Sequence, residues 1–148
     1  MSSTYLSLHY HLVFSTKHRR NWIDPAWQDD LHSYLAGIIQ GLGGFPQRIG
    51  GMPDHVHLLV GLKATHCLAD VMRELKKAGT IWVHERQGLL DFAWQEGYAA
   101  FTVSATARES VSNYITHQAD HHRGKSYLEE LLELLERAGI EYDPRYLD

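Results

Sequence analysis

Residues 5–14 alternate without a slip: Leu6, Leu8, Tyr10, Leu12 and Phe14 fall on one side, Ser7, His9 and His11 on the other. Successive side chains of an extended chain point to opposite faces, so this run reads as a half-buried strand. The same pattern returns at 55–62, where Val56, Leu58, Val60 and Leu62 share one side and His55, His57 and Leu59 the other. Two such strands call for a sheet with an apolar face under cover, and they place histidines on the opposite face.

The segments between supply the cover. Asp24-Pro25 is an N-cap followed by proline at the first helical position, and Trp27, Leu31, Tyr34, Leu35, Ile38 and Leu42 recur at helical spacing until Gly41, Gly43 and Gly44. A strand is predicted over 45–51, with Met52-Pro53-Asp54 as a short connection. Leu68, Val71, Leu75 and Trp82 predict an amphipathic helix over about 67–86, with Gly79 either a weak point or a close contact. A strand over 99–104 follows. Thr106 with Glu109 has the capping-box pattern and predicts a helix through about His122; Ser126 with Glu129 repeats it and opens a last helix with a stripe of Leu128, Leu131, Leu132 and Leu135. The order β-α-β-β-α-β plus two helices predicts an α+β fold: a ferredoxin-like antiparallel sheet with helices mainly on one face, plus a C-terminal helix.

At 148 residues the chain is expected to form a single domain, 1–148. One cysteine, Cys67, permits no internal disulfide and no cysteine-based zinc finger. No apolar run approaches 18 residues and no secretory leader is read at Met1, so a cytoplasmic protein with no membrane association is expected. The net charge of −4 is unevenly spread. Residues 126–148, the acidic C-terminal helix and tail, carry seven acids against two arginines, whereas residues 1–125 carry 12 Lys/Arg against 11 Asp/Glu. A near-neutral body remains compatible with nucleic acid. Eleven histidines are the compositional excess, and histidine is the commonest metal ligand.

Residues two apart on a strand project side by side, so His55 and His57 can face one metal ion. Tyr114 and Gln118 are four apart on the predicted helix and share a face, with His121 three residues further on. Packed against the histidine strand, that helix would let His55, His57 and Gln118 hold an ion beside the Tyr114 hydroxyl. Two nitrogens and an amide oxygen, with no thiolate or carboxylate, make a weak, open site better suited to Mg²⁺ or Mn²⁺ with bound substrate oxygens than to structural zinc. Such an ion would polarise a phosphodiester, and tyrosine could attack phosphorus and be held as a covalent ester. His9-Tyr10-His11 has the same spacing, and spacing alone does not choose between the two pairs. A His-x-His pair is also often no more than the polar face of a strand.

Met52-Pro53-Asp54-His55-Val56-His57-Leu58-Leu59-Val60, then Trp94-Gln95-x-Gly97-Tyr98, then Tyr114-x-x-x-Gln118, closely resemble the single-tyrosine HUH transposases of bacterial insertion sequences of the IS200/IS605 type, with the REP-associated tyrosine transposases as close relatives. The resemblance runs from His11-Leu12-Val13-Phe14-Ser15-Thr16-Lys17 to Gly139-Ile140-x-Tyr142-Asp143-x-Arg145-Tyr146-Leu147. It implies His55 and His57 as metal ligands, Gln118 completing the coordination and Tyr114 as nucleophile; His121 is a supporting candidate from its place on the helix face alone. It further implies single-stranded DNA hairpins as substrate, a 5′-phosphotyrosine intermediate with a free 3′-hydroxyl, and a homodimer in which the tyrosine helix of one subunit can complete the histidine pair of the other.

For DNA contact the candidates are Lys17, Arg19 and Arg20 beyond the first strand and Arg73, Lys76 and Lys77 on one helix, since backbone contacts need only positive charge. Trp22 and Tyr98 can stack on bases, but are expected in the core, Tyr98 above all. Two rival functions are a hairpin-binding regulator without catalysis and a metal-dependent nuclease using water.

Overall fold

A computed structural model describes residues 3–147; Asp148, one of the tail's acids, lies outside them. Four strands, β1 (His9–Ser15), β2 (Phe45–Met52), β3 (His55–Gly61) and β4 (Ala99–Val103), form one antiparallel sheet in the order β2-β3-β1-β4. The helices are α1 (Pro25–Gly41), α2 (Leu68–Gln87), α3 (Arg108–Thr116), α4 (Gln118–His121) and α5 (Tyr127–Arg137). The β1-α1-β2-β3-α2-β4 order is the ferredoxin-like α+β arrangement expected from the patterning.

The alternation assigns the faces. Leu12, Phe14, Val56, Leu58 and Val60 point to one side, where Leu31, Leu35 and Ile39 of α1 and Val71, Met72, Leu75 and Val83 of α2 complete the main core. The Asp24 carboxylate accepts from the Ala26 amide at 2.8 Å, with Pro25 inside the first turn, so α1 starts where the cap signal places it. Gly79 is the close contact: a Cβ there would lie 3.2 Å from both Leu35 and the Trp94 indole, so the α1–α2 crossing depends on its absence.

The two long helices thus share one face, and the shorter α3 and α5 cover the other. Val13 packs beneath Tyr127, Leu131 and Leu135, and Leu59 beneath Ile115 and Val111. The helical pattern read over 106–122 is not one helix. The Thr106–Glu109 capping box does not form; Thr106 lies in a 3-10 turn, Ala105–Ala107, and α3 begins at Arg108 without a side-chain cap. Its end is at His117, with φ −103° and ψ 34°, whose Nδ1 sits 2.7 Å from the Asn113 carbonyl. A ring bonded back onto the preceding turn competes with helix propagation, and α4 restarts the chain in a new direction.

The first strand starts at His9 rather than at residue 5, because its neighbours run out: His9 is already opposite Gly61 of β3 and Val103 of β4, the last residues of those strands, and Tyr5 and Leu6 are exposed. Tyr98, expected in the core, is 39% exposed, whereas Trp22 packs edge-on against Phe92.

Candidate metal and nucleophile site

His55 and His57 lie next to one another on β3, on the face under α3–α5, and neither has any exposed surface. Each ring is aimed by a partner on its Nδ1. His55 donates from Nδ1 to the Asp54 carboxylate at 2.7 Å, and the Asp54 carbonyl accepts from the amide of Thr16, the residue after β1, at 2.8 Å. His57 Nδ1 stands 2.7 Å from Nε2 of His11 on the neighbouring strand. The two His-x-His pairs therefore differ in role: His11 is buried and orients His57, whereas His9 lies at the sheet's end and meets Ser7. A second partner of this kind fixes tautomer and ring angle, leaving both Nε2 atoms directed inward.

Tyr114 comes from the last turn of α3 and Gln118 from the first residue of α4. Their approach to the sheet is set by Gly50 of β2, where a Cβ would lie 2.3 Å from the Ile115 carbonyl oxygen. Only a glycine lets the end of α3 sit this close to the strand. The Gln118 Oε1 then reaches His55 Nε2 at 2.9 Å.

These groups meet on a residue that sequence reasoning did not place in the site. Glu130, 2% exposed, extends from α5 into the cluster. Its Oε1 accepts from His57 Nε2 at 2.9 Å and lies 3.2 Å from His122 Nε2 and 3.4 Å from His55 Nε2. Its Oε2 accepts from Gln118 Nε2 at 3.1 Å and from the Tyr114 hydroxyl. The Ser126 capping box, read from the sequence, does form and sets the phase of α5: the Ser126 hydroxyl accepts from the Glu129 amide at 3.2 Å. With that phase Tyr127, Glu130, Leu131 and Leu135 are buried, while Leu128 and Leu132 of the expected leucine stripe are partly exposed. The available signal was positional: an acid one helical turn after Tyr127 and directly before Leu131 lies within the apolar stripe, where a charge needs a partner.

His121, the candidate supporting residue, is exposed and lies tilted against the Tyr114 ring at 4.3 Å between centroids. Its neighbour His122 is the one that enters the cluster, with Nε2 3.1 Å from Gln118 Oε1 and Nδ1 donating to the Lys125 carbonyl at 2.6 Å. The break at His117 is what exchanges their positions.

Burial and hydrogen bonding act in opposite directions here. Burial opposes charge on His55, but its hydrogen bonds to Asp54, Glu130 and Gln118 outweigh that and raise its pKa to about 9. Burial would raise Glu130, but its bonds from His55, His57 and Tyr114 hold it well below the usual carboxylate range. Burial and the Glu130 carboxylate both push the Tyr114 phenol up, so its proton is firmly held. Burial beside His57 lowers His11 to about 3, which keeps it neutral. Ligand atoms of His55, His122 and Glu130 all lie within 4.8 Å of one another and could hold a metal ion.

The basic candidates are dispersed. Lys17, Arg20 and Lys77 are exposed, and Arg19 donates to the Leu147 carbonyl at 2.9 Å. Arg73 is paired with Asp70 at 3.0 Å, and the Lys76 ammonium is taken up by the carbonyls of Gln95, Glu96 and Gly97 at 2.5 to 3.1 Å. Lys17 and His18 line a cleft of about 400 Å³ with Gln95, Glu96, Gly97 and Tyr146, beside a turn in which His18 and Arg19 hold positive φ angles of 59° and 54°. Non-glycine residues in that region store strain, which recurs at binding sites.

Residues 4–118 match the family described as IS200-like transposases. The chain belongs to that family. The ISDra2 transposase TnpA of Deinococcus radiodurans is 29% identical to this IS200-like transposase over 119 residues, spanning 76% of the chain and 85% of the relative. The crystal structure of a transposase from D. radiodurans R1 superposes with a TM-score of 0.65 at 27% identity, covering 80% of this chain and 95% of that one. A REP-associated tyrosine transposase bound to a REP hairpin superposes with a TM-score of 0.60 at 15% identity, covering 82% and 73%, a likeness of fold. The family match ends at Gln118, so His122 and Glu130 of this IS200-like transposase lie beyond it. No helix among its described residues is long and apolar enough to cross a membrane.

Proposed function

We propose that this transposase cleaves and rejoins single-stranded DNA at hairpin-bearing ends through a 5′-phosphotyrosine on Tyr114, with a divalent ion, Mg²⁺ or Mn²⁺, held at His55, His57 and Gln118. The observation that carries the reading is the convergence on one carboxylate of Tyr114, His55, His57 and Gln118, which come from a strand and two helices. The REP-hairpin complex of a protein with the same fold supports a hairpin as substrate, and the near-neutral body suits recognition by shape with few phosphate contacts.

The bound ion would polarise the scissile phosphate. Tyr114 supplies the nucleophile: its oxygen forms a bond to phosphorus, the bond from phosphorus to the 3′-oxygen breaks, and a free 3′-hydroxyl leaves. The phenol proton passes to the oxygen that already accepts it, Oε2 of Glu130, and from there to the departing 3′-oxygen, which leaves as the hydroxyl. Rejoining reverses these steps with an incoming 3′-hydroxyl. His11 and Asp54 orient the histidines and Gly50 seats the tyrosine. The protein acts as a homodimer on this reading, in which the tyrosine helix of one subunit can complete the histidine pair of the other.

The test uses a labelled hairpin oligonucleotide with Mn²⁺. Tyr114→Phe should abolish the covalent protein–DNA adduct while hairpin binding stays within about threefold. Adduct in the Phe variant would refute the nucleophile, and cleavage without adduct in the wild type would favour activated water.

A further inference from the structure

Four atoms beneath α5 form a closed ring in which nitrogen and oxygen alternate. His55 Nε2 is 2.9 Å from Gln118 Oε1, which is 3.1 Å from His122 Nε2, which is 3.2 Å from Glu130 Oε1, which is 3.4 Å from His55 Nε2. Neighbouring ligands around one divalent ion with bonds of about 2.1 Å stand about 3.0 Å apart in octahedral and about 3.4 Å apart in tetrahedral geometry. The ring has those edges.

The orientations are set from outside. His55 Nδ1 faces the Asp54 carboxylate and His122 Nδ1 the Lys125 carbonyl, groups that only accept, so each Nδ1 carries a hydrogen and an incoming cation would take the place of any proton on the inward-facing Nε2. The amide of Gln118 donates to Glu130 Oε2, which turns its carbonyl oxygen inward as well. Four ligand atoms thus face one another in a site with almost no exposed surface, an arrangement that a cation satisfies.

We propose that His122 and Glu130, carried by the C-terminal segment, are ligands of the divalent ion together with His55 and Gln118. This rests on the preceding reading only in requiring a divalent ion. Two imidazoles and an amide bring no charge; Glu130 adds the carboxylate that hard cations such as Mg²⁺ and Mn²⁺ prefer. Because its second oxygen accepts from Tyr114, one carboxylate ties the ion to the nucleophile. His57, whose Nε2 stands 2.9 Å from the same Oε1, keeps its place among the ligands named above. The C-terminal helix is then part of the metal centre, although the family match ends before it.

Calorimetric titration of the full-length protein with Mn²⁺ tests this. Glu130→Gln and His122→Ala, each verified as folded by circular dichroism, should bind Mn²⁺ at least tenfold more weakly than wild type. His122→Cys, loaded with Co²⁺, should show a thiolate-to-metal charge-transfer absorption that the wild type lacks. Mn²⁺ affinity within twofold of wild type in the folded Glu130 and His122 variants, or Co²⁺ binding to His122→Cys without that absorption, would overturn the assignment. His55→Ala separates the two readings. If it loses Mn²⁺ while Glu130→Gln and His122→Ala do not, only the C-terminal ligands fail; if it too binds normally, the divalent-ion reading fails with them.

Discussion

The two faces of the central strands are built from alternate residues of the same seven-residue strands and have little else in common. One presents Leu12, Phe14, Val56, Leu58 and Val60 to α1 and α2, a core in which any comparable hydrophobic shape would serve. The other presents His11, Val13, His55, His57 and Leu59 to three short helices, and its polar atoms are satisfied almost entirely by one another. Burying Phe14 removes apolar surface from water wherever its neighbours come from, worth about 2–3 kcal/mol. Burying Glu130 is tolerable only because five specific groups surround it, and losing any of them leaves a desolvated charge. The first face carries stability, and the second spends part of it on geometry.

Substitutions on each face should break this contrast or sharpen it. Phe14→Ala should cost about 3–5 kcal/mol in urea unfolding, with hairpin cleavage per folded molecule unchanged. A cleavage defect beyond the unfolded fraction would show that the faces are coupled. His57→Ala should do the converse, lowering cleavage at least about a hundredfold, as loss of a supporting or ligating group at a metal site does, while the protein remains folded at room temperature. Gly50→Ala sits on the seam. Its Cβ would collide with the Ile115 carbonyl, so α3 must shift; the expected cost is about 1–3 kcal/mol, with weakened cleavage through a displaced Tyr114. Unchanged melting and cleavage would mean that the close approach is dispensable.

The smallest effect is a pH profile of stability without divalent ions. His55, raised to about 9, binds its proton more tightly when folded, so its contribution is complete below pH 6.5 and is lost as pH rises toward 9. His11 and His32, lowered by burial to about 3 and about 4, act oppositely: the unfolded chain takes up their protons first, and stability falls as pH drops below 6.5. Denaturation midpoints should therefore peak near pH 6.5. His32→Leu should reduce the acid-side loss and add about 1 kcal/mol, because the His32 Nε2 is buried without a partner. A monotonic profile, or a destabilised His32→Leu, would contradict the account.

Much of the fold was legible because its determinants are local. The period-two runs gave β1 and β3 their faces, Asp24-Pro25 started α1, and Ser126 with Glu129 started α5. Thr106 with Glu109 has the same spelling as that last cap and yet does not cap, because a 3-10 turn takes its place. The site was legible in part. Spacing and family resemblance point to His55, His57, Tyr114 and Gln118, and the fold does bring them together. Their assumed scaffold, one continuous helix, is absent, and the bend at His117 exchanges His122 for His121.

By itself, then, the sequence determined which residues alternate, which turns cap helices and which histidines share a strand face, since those follow from bonds between neighbours in the chain. Only the tertiary structure decided that Glu130, 73 residues from His57 and in the most acidic part of the chain, is the hub of the site, and that His11 is a support rather than a rival pair. A carboxylate on a helix has the same local pattern whether it faces water or three imidazoles. What distinguishes the two is desolvation, which depends on what packs above it.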